Sequence, residues 1–448
     1  MNKGYRIVTI LGALALLAVL GAVLWQPVMM GLAQFRSPLE TPVPASARSP
    51  LQTLPPGWES TQPPLPPPPT STPRITPTPP SPALAAEVAA YDARIPLRAE
   101  RVTLAAVQPF AVGNPITFKA WSPDGTRFLF GRSNQRYILV QFEDGAAANG
   151  FWDDLWVANA DGSQAQKLAD IANDWAWSPD GRSLAYLTPV SEQGIEGALY
   201  VVNVERPRPR KIADCDLGGL DDVAWLPTGE ITCRRNGVMY AVRSNGSQMR
   251  QLNNIFTSDF VTDPLTEETL PPVFQGDYHV SPDGKKLAYI RIGLPSSLWI
   301  SELDGSNTAE VRVNPYVSYD WAWSPDSSMI AFSVPNGQGR LGTDLWIVNA
   351  NGSNRRRVTV TEREDAICMG PTWSPDSQVI AYTYRANTMS QPESVWVVNA
   401  DGTNPHLLVD LAFDPQWSAK GNQIAVLRLR SLTDNPETFL VQVALGQR

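Results

Sequence analysis

The sequence predicts an all-β protein: a seven-bladed β-propeller preceded by an N-terminal transmembrane helix and a proline-rich linker. Three observations lead to this prediction. A short motif, WSPDG at residues 121–125, is repeated at 177–181, and five looser copies follow, which makes seven copies along the chain. The residues on both sides of each copy have the composition of strands. The region before residue 84 contains one long apolar run and then a segment dominated by proline.

Residues 1–33 contain the apolar run, IVTILGALALLAVLGAVLW at 7–25, which carries no charge. Its length approaches the ~20 residues that a helix needs to cross a bilayer. Lys3 and Arg6 precede it, which favours a cytoplasmic N-terminus and export of the rest of the chain. We therefore predict an uncleaved membrane anchor, with a cleaved signal peptide and secretion as the alternative. Both place the propeller outside the cytoplasm, in the periplasm or at the cell surface.

Residues 34–83 form the predicted linker, in which seventeen of fifty residues are proline. Proline fixes φ and has no N–H donor, so this segment favours polyproline II over helix or sheet. We interpret it as a stalk between the anchor and the domain at residues 84–448. A ligand for a proline-binding groove is the alternative.

The repeated motif marks a turn between two strands. Each copy follows a short apolar stretch, strand A, and precedes a run rich in β-forming residues, strand B. Within SPDG, proline presets φ and glycine tolerates positive φ, as a tight hairpin requires. Spacings of 43 to 56 residues between copies suit a four-stranded propeller blade. The copies begin at Trp121, Trp177, Trp225, Val280, Trp323, Trp373 and Trp417.

A second pattern downstream of each hairpin predicts strand C. Every repeat carries an aromatic residue there, and in five repeats a glycine occurs six residues later, in sequences such as ADGSQ and ANGSN. Asp-Gly and Asn-Gly are hairpin signals, so these glycines predict C–D turns. We assign the aromatics to packing between blades. They are Trp156, Tyr200, Tyr240, Trp299, Trp346, Trp396 and Phe439.

The seventh repeat ends after its strand C, so its outer strand must come from elsewhere in the chain. Residues 100–110, ERVTLAAVQPF, lie directly before the first strand A and have the composition of a strand. We predict that they pair with the last blade and close the ring, which protects sheet edges.

The hairpin, the aromatic strand and the N-A-D-G-S/T turn together resemble the TolB-type WD-like propeller repeat, over residues 100–448. That resemblance implies a binding or scaffolding platform. The protein that gives the family its name is a six-bladed periplasmic propeller behind an α/β domain, and it contacts envelope lipoproteins. Here an apolar run and a proline-rich segment precede seven motifs, so that partner is not carried over.

Composition restricts the function classes. The net charge of −8 argues against nucleic acid as a partner, and two histidines with three cysteines argue against His/Cys metal sites and Ser-His-Asp triads. No G-x-S-x-G elbow occurs. We therefore predict no enzyme, no catalytic residue, no metal and no cofactor. The predicted function is a monomeric platform for an envelope or extracellular protein, or for a peptide or glycan. A carboxylate-based glycan-active or other hydrolytic enzyme is the alternative.

The candidate binding residues lie three positions before the start of each motif, where strand A begins. Five of these seven positions hold aspartate, and the other two hold Phe118 and Gly370. Five carboxylates around one mouth of the central channel would attract a cation or a basic partner. The alternative is structural, with each aspartate accepting backbone hydrogen bonds in its own turn. The five are Asp174, Asp222, Asp277, Asp320 and Asp414.

Two long connections, residues 132–154 and 253–276, open on the same face and are further candidates for binding. Tolerated insertions are the alternative. Cys215 and Cys233 are the candidate pair for a disulfide, because both are expected near that face and an exported protein meets oxidising conditions. Spacing alone does not fix this pairing, and Cys368 would be the odd thiol.

Overall fold

The computed structural model describes residues 97–445 apart from several internal segments. The chain separates into two units, Met1–Ala85 and Ala86–Arg448, and every described residue lies in the second. The predicted anchor and linker therefore lie outside the described residues. Within the described part of the chain, no helix is long and apolar enough to span a membrane. The internal segments outside the description are 111–115, 142–146, 173, 191–195, 218–222, 236–237, 254–260, 263–268, 271–274, 292–296, 312–319, 337–341, 361–365, 387–392 and 429–436.

The second unit is an all-β propeller, and its regular structure in the described residues is strands plus one 3-10 turn, Ala99–Arg101. Neighbouring strands within each repeat pair in antiparallel register. The first repeat has β2 (Thr117–Trp121), β3 (Arg127–Gln141), β4 (Ala147–Asn159) and β5 (Gln166–Ala169). The second has β6 (Asp174–Trp177), β7 (Ser183–Pro189), β8 (Glu196–Asn203) and β9 (Arg210–Asp216).

The middle of the chain is less regular. The third repeat has β10 (Glu230–Arg235), β11 (Val238–Arg243) and β12 (Arg250–Asn253). A separate two-stranded hairpin comes next, formed by β13 (Val261–Thr262) and β14 (Thr269–Leu270). The fourth repeat has β15 (Gln275–Val280), β16 (Lys286–Arg291), β17 (Ser297–Glu302) and β18 (Ala309–Val311).

The fifth and sixth repeats share one eight-stranded sheet. The fifth contributes β19 (Trp321–Trp323), β20 (Met329–Pro335), β21 (Thr343–Asn349) and β22 (Arg356–Arg357). The sixth contributes β23 (Ile367–Trp373), β24 (Val379–Arg385), β25 (Ser394–Asn399) and β26 (His406–Asp410). The last sheet has the order β1 (Val102–Pro109), β29 (Glu437–Leu445), β28 (Gln423–Arg428) and β27 (Ala412–Trp417).

The prediction of seven separate four-stranded blades needs correction, because five sheets reach four or more strands in the described residues. Two local features account for the difference. Thr343 pairs in parallel with Ile367, which joins the fifth and sixth repeats into one sheet. In the third repeat, strand A is reduced to an isolated bridge between Trp225 and Ile231, so that sheet has three strands.

The predicted closing strand is confirmed. Strand β1 pairs antiparallel with β29, from Val102 opposite Leu445 to Pro109 opposite Phe439. A second contact joins the two ends of the repeat region, because the Trp121 indole N–H in the first repeat donates to the Gln416 carbonyl in the last, at 2.9 Å. The first and last repeats are therefore neighbours, and the chain closes on itself.

The repeated turn is held by one serine and one aspartate. In the second repeat, the Ser178 hydroxyl donates to Asp180 Oδ1 at 2.6 Å and accepts the Ser183 N–H at 2.9 Å. The bonds from Ser178 and the Arg182 N–H hold the pKa of Asp180 below its usual value. Gly181 has φ of 66°, which glycine adopts without strain. The S-P-D-G letters are thus a structural turn.

Indole hydrogen bonds link successive repeats around buried apolar clusters. Trp323 Nε1 donates to the His279 carbonyl and Trp373 Nε1 to the Ala322 carbonyl, both at 3.1 Å. Each acceptor is the residue directly before the motif of the preceding repeat. Apolar side chains of adjacent repeats pack beside these bonds, as Leu298 does with Trp321.

Cys215 in β9 and Cys233 in β10 form a disulfide, with Cα atoms 6.1 Å apart. It joins the outer strand of the second repeat to strand B of the third. Cys368 is a free buried thiol, and burial raises its pKa to about 12. A thiol held neutral and buried reacts slowly with alkylating agents.

We expect Trp373→Phe to destabilise the protein by about 1 kcal/mol more than Trp321→Phe, measured by urea unfolding. Both indoles are 5% exposed, and both changes remove the same atoms. Trp373 loses its bond to Ala322, whereas Trp321 Nε1 has no hydrogen-bond partner among the described residues. Equal losses would contradict a role for the indole bonds in holding repeats together.

Thiol titration tests the disulfide. Without reductant, we expect no reactive thiol in the folded protein and one after unfolding, because Cys368 is buried and the other two are bonded. Reduction before unfolding should raise the count to three. Removing a cross-link that closes a loop of this size should also lower the free energy of unfolding by about 2–4 kcal/mol. Three thiols in unreduced, unfolded protein would refute the pairing.

Candidate binding site at the channel mouth

The position that begins strand A is a site of irregular backbone in several repeats. The register of strands A and B shifts at this point in the first, fourth, sixth and seventh repeats. Gly370 and Asp414 there have φ of 57° and 51°. Such bulges re-aim side chains and are frequent beside functional sites.

The structure describes three of the five predicted aspartate side chains. Asp174 is the first residue of β6, Asp320 directly precedes β19, and Asp414 lies within β27. Asp222 lies outside the described residues. Asp277 lies in β15, where only the backbone is described.

Asp174 fastens the second repeat to the third. Its side chain is 3% exposed. One carboxylate oxygen accepts the N–H of Val223 at 2.6 Å, and the other accepts the N–H of Trp175 at 2.7 Å. Val223 belongs to the next repeat along the chain. These bonds support the structural interpretation for Asp174.

Asp320 and Asp414 interact with each other electrostatically. Burial, and then the charge of Asp414, raise the pKa of Asp320 above its usual value, while a hydrogen bond from the Gly370 N–H acts in the opposite direction. Asp414 is accessible to solvent yet closely surrounded by protein, and this burial raises its pKa as well. Its N–H donates to Thr383 Oγ1 at 3.0 Å, and its carboxylate accepts Gln416 Nε2 at 3.1 Å.

Glu393 is a third carboxylate that the sequence did not identify. It lies directly before β25, at the end of the connection between strands B and C of the sixth repeat. Burial raises its pKa, Arg385 lowers it, and the charge of Asp414 raises it further. Arg385 Nη1 lies 3.1 Å from Glu393 Oε1. We call Asp320, Glu393 and Asp414 the acidic cluster.

Glu393 was not predicted from the sequence because only one position of each repeat was compared, the position at the start of strand A. In an antiparallel repeat the end of strand B and the start of strand C reach the same face as the start of strand A. Charged residues at both ends of the B–C connection, Arg385 and Glu393, were the available signal. Within the described residues, no group of three or more His, Cys, Asp or Glu side chains is arranged to hold a metal ion.

The two long connections on this face contain strands. Residues 132–154 are part of an extended hairpin, in which β3 and β4 pair from Arg127 opposite Asn159 to Gln141 opposite Ala147. Strands β2 and β5 flank only its base, because Thr117 pairs with Gly131 and Ala169 with Leu155. The prediction of a loop at 132–154 is therefore wrong for most of its length. The connection at 253–276 contains the small β13–β14 hairpin.

Comparison with known proteins supports the predicted family resemblance. Residues 278–434 match the family model of the TolB beta propeller domain. An oligogalacturonate lyase in complex with manganese has a matching fold, with a TM-score of 0.50 and 14% identity over 78% of this chain and 97% of that one.

Two TolB structures are also similar. The putative TolB of Agrobacterium tumefaciens has a TM-score of 0.38 and 18% identity, over 64% of this chain and 95% of that one. TolB of Acinetobacter baumannii has a TM-score of 0.37 and 12% identity, over 74% of this chain and 64% of that one.

A curated relative, the uncharacterized peptidase YuxL of Bacillus subtilis, is 28% identical over 116 residues, 26% of this chain. The match spans 16% of that relative's own length. The expectation that the chain is not an enzyme is corrected here, because a protein of matching fold and a relative in sequence are both named as enzymes.

We expect Asp174→Ala and Asp414→Asn to have opposite effects on stability at pH 7. The first leaves the buried N–H of Val223 without an acceptor and should cost about 1–3 kcal/mol. The second removes a charge that raises the pKa of Asp320 and Glu393, so stability should hold or rise. Asparagine also tolerates the positive φ at this position.

The pH dependence provides the control. Because the folded pKa of Asp414 is raised, its favourable contribution is present below its unfolded pKa and is lost as pH rises through the folded value. The wild type should therefore lose stability relative to Asp414→Asn between about pH 4 and 7. Unfolding curves that stay parallel across this range would contradict the assignment.

Proposed function

We propose that this TolB-like propeller is a binding platform outside the cytoplasm, anchored through residues 7–25 and spaced from the membrane by residues 34–83. Its seven repeats occupy seven blade positions around one channel. Seven copies of the turn motif and the bond from Trp121 to Gln416 support this arrangement. The domain begins at about residue 84.

One observation carries the proposed site: the charge of Asp414 raises the pKa of both Asp320 and Glu393, and the Arg385 guanidinium lies beside Glu393. In this proposal the three carboxyl groups face one side of the channel mouth. Arg385 offsets part of their charge through its ion pair with Glu393. A mouth with this excess of negative charge attracts cationic groups and disfavours anionic ones.

The partner class that fits is a basic segment of an envelope or extracellular protein. A lysine or arginine side chain reaching into the mouth would relieve the repulsion among the carboxylates. The extended hairpin of β3 and β4 stands on the same face and adds backbone surface for a protein ligand. Asp222 and Asp277 belong to the same proposed ring of carboxylates, whereas Asp174 serves the scaffold.

The disulfide between Cys215 and Cys233 supports the proposed location. Disulfides persist in oxidising compartments such as the periplasm and the cell surface and are rare in the cytosol. Secretion after cleavage of the N-terminal segment is the alternative, and both place the mouth where an exported partner can meet it.

A second candidate function is carboxylate-based hydrolysis, of a glycan among other substrates. The specific observation is that Asp414 raises the pKa of Asp320, as in sites where one carboxyl donates a proton while another stays ionised. The relative named as a peptidase is consistent with hydrolysis, whereas the similar lyase cleaves by elimination. Oligogalacturonate itself is a polyanion, and the acidic cluster would repel it.

Binding of hexalysine to the full-length protein tests the first candidate. At low salt we expect Asp414→Asn and Glu393→Gln each to weaken binding about 3- to 10-fold, because each removes a charge worth about 1 kcal/mol at contact. Asp401→Asn is the matched control, since Asp401 is an exposed acid in a C–D turn, away from the mouth. Affinity should also fall as pH drops, starting above the usual carboxyl range because these pKa values are raised.

The same variants separate the two candidates. Hexalysine affinity that is equal in wild type, Asp414→Asn and Glu393→Gln would reject the platform at this mouth. Release of reducing ends from neutral glycans, abolished by Asp320→Asn and Asp414→Asn but retained by Asp401→Asn, would favour the hydrolase. Hexaglutamate should bind none of the proteins, and binding by the wild type would contradict charge recognition.

A further inference from the structure

A cleft of about 330 Å³ lies between the last repeat and the first, beside the A–B and C–D turns. This is the end of the propeller opposite the acidic cluster, because each strand A runs from the channel mouth to its A–B turn. The closing strand β1 forms one wall. The lining residues are Gln108, Pro109, Phe110, Thr126, Asn159, Ala160, Asp161, Lys420, Gln423, Leu440 and Gln442.

At three other junctions between repeats, a long side chain bridges the equivalent place. Gln166 donates to the Val204 carbonyl, Arg210 to the Asn245 carbonyl at 2.8 Å, and Arg356 to the Ala400 carbonyl at 3.3 Å. Each donor belongs to an outer strand, and each acceptor lies in or beside the C–D turn of the next repeat.

The residue equivalent to these donors at the last junction is Gln108. Gln108 pairs with Leu440, the residue that directly follows the aromatic of strand C. The other bridging residues pair at the same position of their own repeats: Gln166 with Val157, and Arg356 with Ile347. The counterpart acceptor for Gln108 would be Ala160. Within the described part of the chain, Gln108 makes no side-chain hydrogen bond to that turn, and the space between them is the cleft.

The lining is polar at the walls and apolar at the floor. Phe110 and Leu440 are 4% and 6% exposed and belong to the core cluster between the two repeats. Lys420 and Asp161 carry opposite charges, so the cleft has no net charge. The other polar groups are neutral, namely the carboxamides of Gln108, Asn159, Gln423 and Gln442 and the hydroxyl of Thr126.

One buried acceptor belongs to this lining. Gln423 lines the cleft, and its Oε1 has no hydrogen-bond partner among the described residues. This oxygen is closed to solvent, so a ligand donor reaches it only when the carboxamide turns into the cleft. Hydroxyl groups both donate and accept, as carboxamides do.

We propose that this cleft binds a small neutral saccharide. Its volume lies at the lower end of the range for small-molecule sites, about 300–1,000 Å³, and suits one or two sugar units. The carboxamides take the hydroxyls of a sugar, and the small apolar surface that Phe110 and Leu440 leave at the cleft contacts its C–H groups. The absence of net charge favours neutral sugars over uronates.

Ligand-detected NMR and calorimetry on the full-length protein test this proposal. The probes are maltose, cellobiose, lactose and sucrose, with glucuronate as the charged comparison. We expect at least one disaccharide to bind with a Kd of about 1 mM or tighter and glucuronate to bind more weakly. Failure of all four disaccharides to bind at that level would overturn the proposal.

Two variants locate the site. Gln423→Leu removes a carboxamide that lines the cleft and should weaken saccharide binding at least about fivefold, as expected for losing one hydrogen bond to the ligand. Gln108→Arg installs the arginine found at two of the three bridged junctions, so it should occupy the cleft and abolish binding while thermal stability holds or rises. Gln378→Leu changes the A–B turn of the sixth repeat, outside the cleft, and should bind as the wild type does. Saccharide binding unaffected by Gln108→Arg would place the ligand elsewhere and overturn the proposal.

Discussion

Pairing of β1 with β29 is the constraint on which the rest of the structure depends. The last repeat has strands A, B and C, and only a strand from the opposite end of the repeat region completes it. Without that strand, β29 would expose an unpaired edge. The pairing also sets the first repeat beside the last, so that Trp121 can reach Gln416. The cleft at the junction exists only because the chain closes in this way, since β1 forms one of its walls.

Equivalent positions in the repeats have acquired different roles. Asp174 uses both carboxylate oxygens on backbone N–H groups, one of them in the next repeat, and stabilises the fold. Asp414 has the same place in its repeat, but its backbone turns to positive φ and its side chain remains accessible. Burial and mutual repulsion make the acidic cluster costly at neutral pH. That cost is offset by the surrounding scaffold, and in the proposed function the charge attracts the ligand.

The fold was predictable because local sequence patterns encode its turns. Each S-P-D-G turn, and each C–D turn with its glycine, depends only on residues that are neighbours in the sequence. The closing strand was predictable because the seventh repeat lacked a partner for Phe439. The number of separate sheets was not, because it depends on one parallel pair, Thr343 with Ile367, which no local pattern encodes. Glu393 was not predicted as a site residue for a similar reason, since its proximity to Asp414 depends on packing between the sixth and seventh repeats.

The segment just before β1 has a mechanical consequence. The N–H of Leu97 donates to Asp376 at 2.5 Å and that of Ala99 to Asn399 at 2.7 Å, so the chain is clamped to turns of the sixth repeat before it enters the seventh. Force applied along the chain from the N-terminal side of Leu97 acts first on these two hydrogen bonds and only afterwards on the hydrogen bonds between β1 and β29. Resistance to force is governed by the rate of unfolding, and hence by the first bonds to break. The clamp therefore protects the closing strand of the ring from tension arriving along the chain.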